Sequence, residues 1–253
     1  EMVHAARLAR RQGHGACNLP LLYTKAQMLW GDHHFGFGYC DGPRGELTHC
    51  LWIVAKSGAV TNGPYRVDFM AYQTGEQFLE LMALLRSLGD QVRLVRMNEP
   101  PGIQLQDLMI QPFKQQDMTR NSPYATGIHA DAWWQRRICN LKGCLEKTHL
   151  RDTVRFNLKL SDPIANCLDD TAPWRGVAGD YVVTLGPSSG ADKGHDASLP
   201  TLTASVGAFT RLWLGVRPAS GLAITDDLRA PFELLEQLDA ALLVPTPEPD
   251  WDF

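Results

Sequence analysis

The chain has 253 residues, with 24 Lys plus Arg against 28 Asp plus Glu, so its formal net charge is −4. That balance excludes nucleic acid as the main partner, because phosphate binding calls for a basic face. At 44% hydrophobic and 21% charged residues the composition also excludes a largely disordered chain, and no apolar run reaches the ~18 residues of a membrane span.

The length suits one or two domains of ~100–200 residues. The polar, basic start carries no visible secretory signal. The first residue is Glu rather than Met, so the chain is expected to be a processed product, a trimmed one, or a piece of something longer.

Met2 to Gln12 reads as a basic helix ended by Gly13 and Gly15, and Pro20 to Trp30 as a second, with Leu21, Leu22, Ala26 and Leu29 at helical spacing. The period then changes. Phe35 to Cys40 and Glu46 to Ala55 read as strands joined by the turn formers Asp41-Gly42-Pro43-Arg44-Gly45. In a third strand, Pro64 to Gln73, Tyr65, Val67, Phe69 and Ala71 alternate with Arg66, Asp68 and Met70. Thr74 to Gln77 matches a capping box and opens a helix with Phe78, Leu81, Met82, Leu85 and Leu88 on one face, ending at Gly89. Gln91 to Met97 is a further strand and Leu105 to Ile110 a short helix. Hairpins followed by a strand–helix–strand unit predict an α+β layer.

Lys114 to Gly127 is polar and holds a proline, which places a domain boundary near Pro123 and gives domains 1–123 and 124–253. The second half opens with an expected strand, Ala132 to Cys139, and a short helix, Asn140 to Lys147. Thr153 to Leu160 alternates Val154, Phe156, Leu158 and Leu160 with Arg155, Asn157 and Lys159, the clearest strand pattern in the chain. Asp180 to Leu185 and Thr201 to Val206 are further strands, and Phe209 to Leu214 and Phe232 to Leu243 are helices. Gly186 to Pro200 reads as a mobile loop. The expected apolar layer is Val154, Phe156, Leu158, Val182, Leu202, Phe209, Leu212 and Trp213.

Chemical motifs are sparse. Gly186-Pro187-Ser188-Ser189-Gly190 spells GxSxG, but a nucleophile elbow needs a helix straight after the serine, and Ala191 to Ser198 is turn-like. Arg10-Arg11-Gln12-Gly13-His14-Gly15 fits the loop that holds the pyrophosphate of acetyl-CoA in GNAT acyltransferases. That loop works from a strand into a helix start, whereas here it follows a helix and reads as a helix terminator. The eight histidines (His4, His14, His33, His34, His49, His129, His149 and His195) show no HxxxH spacing and read as surface or satisfied core residues. The six cysteines, Cys17, Cys40, Cys50, Cys139, Cys144 and Cys167, form no CxxC. They are expected to be buried or half-buried free thiols, which fits a cytoplasmic protein, and no metal role is assigned to them.

Three segments of the second half resemble the enhanced intracellular survival (Eis) family of GNAT N-acetyltransferases. The strand from Thr153 to Pro163, with Trp174-Arg175-Gly176 and Tyr181-Val182-Val183, is similar to that family's sterol-carrier-like layer. Ser205 to Gly215 is similar to its short helix ending in a Leu-Gly turn. Leu235 to Leu243, with Trp251-Asp252-Phe253, is similar to its final helix and aromatic-acidic terminus. Gly45 to Val54, Phe69 to Leu88 and Val95 to Pro100 resemble its central GNAT-like domain. The resemblance implies a degenerate GNAT-like domain followed by a sterol-carrier-like one, without the amino-terminal domain that holds acetyl-CoA. The chain itself would then carry no cofactor, with acetyl-CoA belonging to the complete enzyme.

The resemblance further implies an amine substrate, a homo-oligomer, and a catalytic base in the terminal carboxylate of Phe253. Asp252 would add negative charge beside it, and Trp251 would help to wall the acceptor site. No tyrosine of this chain (Tyr23, Tyr39, Tyr65, Tyr72, Tyr124 or Tyr181) takes the family's general-acid role, because that residue lies in the other domain. Trp251 and Phe253 are expected to dock on the body of the protein. Two other readings stay open: a stand-alone sterol-carrier-like module for an apolar ligand, and a structural or oligomerisation module.

Overall fold

A computed structural model describes residues 1–10, 20–30, 32–55, 60–100, 102–110, 135–169 and 171–247. They fall into two compact units, one made of the described residues up to 110 and one of residues 135 to 247. Outside the described residues lie the boundary expected near Pro123, the Arg11 to Gly15 loop, and the tail with Trp251, Asp252 and Phe253. Among the described residues, no helix is long and apolar enough to cross a membrane.

In the first unit, helices α1 (Met2–Arg10) and α2 (Leu21–Leu29) precede strands β1 (His34–Tyr39), β2 (His49–Ala55) and β3 (Tyr65–Ala71). Helix α3 (Gly75–Ser87) then returns the chain to β4 (Val95–Arg96), and Leu105–Leu108 forms a 3₁₀ turn where a short helix was expected. The sheet order is β1-β2-β3-β4. The first three strands are antiparallel, and β4 runs parallel to β3, as a helical crossover requires.

The fourth strand is shorter than the expected Gln91 to Met97. The amides of Gln91 and Val92 donate to Leu88 O at 3.0 and 2.7 Å, so these residues finish the turn after α3 instead of joining the sheet. At the other end of α3, Thr74 Oγ1 accepts from the amide of Gln77 at 3.3 Å, while Gln77 Oε1 accepts from the amide of Gln73 at 2.7 Å. The reciprocal cap is present, displaced by one residue on its second arm.

The third strand departs from its simple alternation. Trp52 pairs with Phe69 but the next residue, Ile53, pairs with Val67, so Asp68 is an extra residue on β3. A bulge of this kind rephases a strand. Tyr65 and Val67 therefore join Leu51, Ile53, Phe78 and Leu81 under α3, while Ala71 joins Cys50 and Ala6 on the α1 side. Phe69 stacks near Trp52 at 6.1 Å, and the guanidinium of the fully buried Arg7 lies 4.1 Å above its ring. Arg7 donates to Gln27 Oε1 at 2.9 Å and Gln27 to Asp68 Oδ2 at 3.2 Å, so the bulge carboxylate is tied to both amino-terminal helices. Gly36 sits opposite Trp52 because a Cβ there would come within 2.7 Å of the indole.

The second unit comprises α4 (Leu141–Glu146), β5 (Val154–Ser161), a 3₁₀ turn (Pro163–Cys167), β6 (Gly179–Leu185), β7 (Gly190–Lys193) and β8 (Thr201–Ser205). It continues with α5 (Val206–Trp213), α6 (Ala219–Thr225), β9 (Leu228–Arg229) and α7 (Phe232–Ala241). Its sheet order is β7-β6-β5-β8-β9, with β5 parallel to β8 and the other pairs antiparallel. Both units thus mix helices with a layered sheet, and the α+β class is as expected.

Three expectations are corrected here. Residues 135 to 139, the described part of the strand expected over Ala132 to Cys139, are not a strand; the amide of Ile138 donates to Thr210 Oγ1 at 3.1 Å, which fastens this segment to α5. The segment Gly186 to Pro200 is not a mobile loop, because it contains β7, and the buried Asn157 clamps its far side. Asn157 Nδ2 donates to the carbonyls of Asp196 and Leu199 at 2.8 and 3.0 Å, and its Oδ1 accepts from the amide of Asp196 at 2.8 Å. In β6 the inward residues are Val183 and Leu185, which face Phe156 and Val154 in register, whereas Val182 lies opposite Asn157 and is half-buried.

The remaining core is as read. Val154, Phe156, Leu158, Leu202, Phe209 and Leu212 are buried, and Trp213 packs against them while its indole N–H donates to Thr148 Oγ1 at 2.8 Å. Phe156→Ala is expected to cost about 3–5 kcal/mol in chemical denaturation, as large-to-small core changes do. Val183→Ala should cost clearly more than Val182→Ala; equal losses would mean that the phase of β6 is wrong.

Candidate functional site

The three residues that the resemblance marks as a site, Trp251, Asp252 and Phe253, lie outside the described residues. The GxSxG segment is the β6–β7 turn: Ser189 Oγ accepts from the amide of Gly186 at 2.9 Å and donates to its carbonyl at 3.0 Å, and a strand follows instead of a helix. That geometry is a turn closure and not a nucleophile elbow. Of the five described cysteines, none is in a disulfide; Cys40, Cys139 and Cys167 are exposed, against the burial expected of them, while Cys50 is buried and Cys144 half-buried. Burial pushes the Cys144 thiol up, away from reactive thiolate character.

Besides the Arg7–Gln27–Asp68 group, the described residues hold two clusters of charged side chains that bear on chemistry. The first sits where the β1–β2 hairpin meets α3. His49 begins β2, on the sheet face that α3 covers, and it is buried. Its ring stacks on Tyr39, its cross-strand partner, at 4.6 Å. Its Nδ1 lies 2.9 Å from Thr48 Oγ1, and the Thr48 hydroxyl donates to Tyr39 O at 3.0 Å. With the hydroxyl proton donated to Tyr39 O, Nδ1 of His49 is the donor to Thr48; in the other tautomer the hydroxyl turns to Nδ1. The other ring nitrogen, Nε2, lies 2.8 Å from Glu80 Oε2 of α3. Asp41, just after β1, completes a set whose donor atoms all lie within 4.8 Å of one another. Asp41 and Glu80 are exposed, so the buried imidazole looks outward through two carboxylates.

The second cluster centres on Asp162, whose side chain is fully buried at the end of β5. Its carboxylate accepts from the amides of Ile164 and Val177 at 3.0 and 2.9 Å, and pairs with both oxygens against the Arg137 guanidinium. Arg137 in turn lies 5.5 Å from the centre of the Trp174 ring, and the Trp174 indole N–H donates to Cys139 O at 3.1 Å. Gly176, at φ +90°, approaches so closely that a Cβ would lie 2.5 Å from Asp162 Oδ2. The fold thus brings the Asp162-Pro163 and Trp174-Arg175-Gly176 segments to one point. Burial raises the Asp162 pKa, but the two amides and Arg137 together outweigh it and hold the carboxyl below its usual range. With its lone pairs spent on these partners, Asp162 is a structural tie.

Nothing in the residue pattern separates His49 from the other seven histidines. Its nearness to Asp41 is local to a hairpin, but Glu80 comes from a helix 31 residues further on, and only the packing of α3 on β2 joins them.

Neither a protein-family model nor a curated protein matches this sequence. Solved structures do. A protein of unknown function from Enterococcus faecalis V583, described as a probable N-acyltransferase, is 18% identical with a TM-score of 0.68, over 99% of this chain and 58% of its own. A GCN5-related N-acetyltransferase from Anabaena variabilis is 14% identical with a TM-score of 0.67, over 100% of this chain and 60% of its own. Eis1 from Mycobacterium abscessus is 13% identical with a TM-score of 0.57, over 81% of this chain and 48% of its own. At these identities the likeness shows the fold, an α+β architecture shared with N-acetyltransferase structures. The chain spans roughly half to three-fifths of their lengths.

Because the folded pKa of Asp162 is depressed, its contribution to stability is full above the unfolded carboxyl value of about 3.9 and is lost as pH falls through the folded value. Asp162→Asn should therefore lower stability at pH 7 by about 1.5–3 kcal/mol, the range for hydrogen bonds to a charged group. The gap from the parent should close under acid. Denaturation curves at neutral and acid pH that stay a constant distance apart would rule out the charge as the cause.

Proposed function

We propose that this chain is the middle and carboxy-terminal portion of an Eis-like N-acetyltransferase that moves acetyl from acetyl-CoA to an amine. The observation that carries the reading is the likeness of nearly the whole chain to N-acyltransferase structures whose own chains are considerably longer. In this reading the first unit is the degenerate GNAT-like domain, supported by its antiparallel strands and its β3–α3–β4 crossover. The second unit is the sterol-carrier-like domain, supported by its mixed sheet under α5, α6 and α7.

This portion contributes walls of the acceptor site and the terminal carboxylate, while acetyl-CoA is held by a further domain. The α-carboxylate of Phe253, with Asp252 beside it, attracts the acceptor ammonium and takes one proton from it. The neutral nitrogen then bonds to the thioester carbonyl carbon, the carbon–sulfur bond breaks, the sulfur leaves with the electron pair and takes a proton from an acid of the cofactor domain, and the nitrogen gives its second proton to solvent, leaving the neutral amide. Trp251 packs beside the acceptor, and the two large aromatics at the end of the chain set the depth of the carboxylate.

Two measurements test this. In the full-length gene product, deleting Asp252 and Phe253 should lower kcat/KM for amine acetylation by ~10²–10⁴-fold, the worth of a positioned proton acceptor, with little change in melting temperature. Normal kcat/KM would remove the tail from the mechanism. The isolated 253-residue chain should show no micromolar binding of acetyl-CoA in calorimetry; stoichiometric binding would overturn the division of labour and return attention to the Arg10 to Gly15 loop.

A further inference from the structure

We propose that His49, Glu80 and Asp41 form a divalent-cation site, with Zn²⁺ the best match to the donor set. The argument begins with protons. With the Thr48 hydroxyl donating to Tyr39 O, Nδ1 of His49 carries the proton shared with Thr48 Oγ1. In the neutral imidazole Nε2 then holds a lone pair and no proton. That lone pair lies 2.8 Å from Glu80 Oε2, itself an acceptor when ionised, so two electron-rich atoms face each other. A proton or a metal cation between them would satisfy both. Among the described residues Nε2 has no hydrogen-bond partner of acceptable angle although its ring is buried, so a proton pointing from Nε2 at Glu80 fits poorly.

A metal ion fits the geometry better. Ligands of one ion aim their lone pairs at the ion and not at each other. Two donors at ~2.0–2.2 Å from a tetrahedral zinc ion lie roughly 3.3–3.6 Å apart, so Glu80 would swing back slightly from its 2.8 Å approach to Nε2 to admit the ion. The donor atoms of His49, Glu80 and Asp41 all fall within 4.8 Å of one another, and the two carboxylates, being on exposed side chains, can rotate inward.

The Nδ1 bond to Thr48 is the feature that metal-bound histidines usually carry. It fixes the tautomer and the ring plane and makes the coordinating nitrogen more basic. Stacking on Tyr39 holds the same plane from the side. One histidine and two carboxylates suit Zn²⁺ or a neighbouring first-row ion better than Mg²⁺ or Ca²⁺, which prefer all-oxygen shells. Three protein ligands leave a fourth position for water. A bound ion would also join the β1–β2 hairpin to α3, two elements otherwise linked through the apolar layer between them. The inference does not rest on the acetyltransferase reading and fails or stands apart from it.

The test is calorimetric titration of the whole chain with ZnCl₂ after its surface thiols are blocked with N-ethylmaleimide, since Cys40, Cys139 and Cys167 are exposed and would compete. One equivalent is expected to bind, to shift the ring resonances of His49 in NMR spectra, and to raise the melting temperature. Asp41→Asn and Glu80→Gln change exposed positions and should leave the fold intact. Each should weaken binding at least about tenfold, the smallest loss typical of changes even one shell away from a metal. His49→Asn keeps a group beside Thr48 but removes Nε2, and should abolish the site. Absence of a stoichiometric equivalent would overturn the proposal and leave His49 and Glu80 as a plain ion pair. Binding that is unchanged in the Asp41→Asn, Glu80→Gln double variant would overturn it as well.

Discussion

A strand shows its side chains to two faces in strict alternation, and the third strand of this chain has apolar residues at four consecutive odd positions. With an unbroken period, Tyr65, Val67, Phe69 and Ala71 would all lie on one side of the sheet and leave the other with Met70 as its one apolar residue from this strand. The extra residue at Asp68 resolves this by sending Val67 and Tyr65 toward α3 and Phe69 and Ala71 toward α1. Most of the first unit follows from that step. Phe69 offers the buried Arg7 a ring face, and Gln27, held by Asp68, accepts a hydrogen bond from it. The carboxylate of that extra residue also anchors α2 and, through Gln27, α1.

The second unit solves a different problem. The end of β5 must turn sharply into a 3₁₀ segment and meet the start of β6, and both approaches expose amides. Asp162 satisfies an amide from each and is balanced by Arg137. A buried carboxylate without such partners would be costly; with them it fixes the corner. On the other side of the same strand Asn157 does comparable work for the segment between β7 and β8, using both ends of its amide. Polar residues in the middle of an otherwise apolar sheet hold the connections in place, and the apolar residues supply the cohesion.

Fold and chemistry separate cleanly here. The architecture is shared with N-acetyltransferase structures at identities of 13–18%, far below the level at which residue roles carry over. The buried imidazole at the hairpin, framed by two carboxylates, owes nothing to that likeness. It arises from the packing of α3 on β2, which carries Glu80 to His49. The same hairpin gives both the sheet edge that defines the first unit and the local charge that distinguishes it.

The sequence by itself determined what depends on neighbours a few residues apart. The apolar face of α3, the Thr74 cap and the alternation of β5 were legible, because side chains at fixed spacing either repeat with the element or do not; α2 was legible as a helix, but the side it buries is that of Thr24 and Gln27 and not that of Leu22 and Leu29, which are exposed. The α+β class followed from their order. What tertiary structure decided depends on partners far along the chain. The bulge at Asp68 needed the register of β2 against β3; the choice of Val183 over Val182 needed the position of Phe156; β7 needed β6 to pair with. Residues 135 to 139 look like a strand in isolation but are drawn off by Thr210. His49 could be told from the other histidines only once α3 had carried Glu80 to it, since a pattern in sequence records periodicity and not which lone pairs will meet.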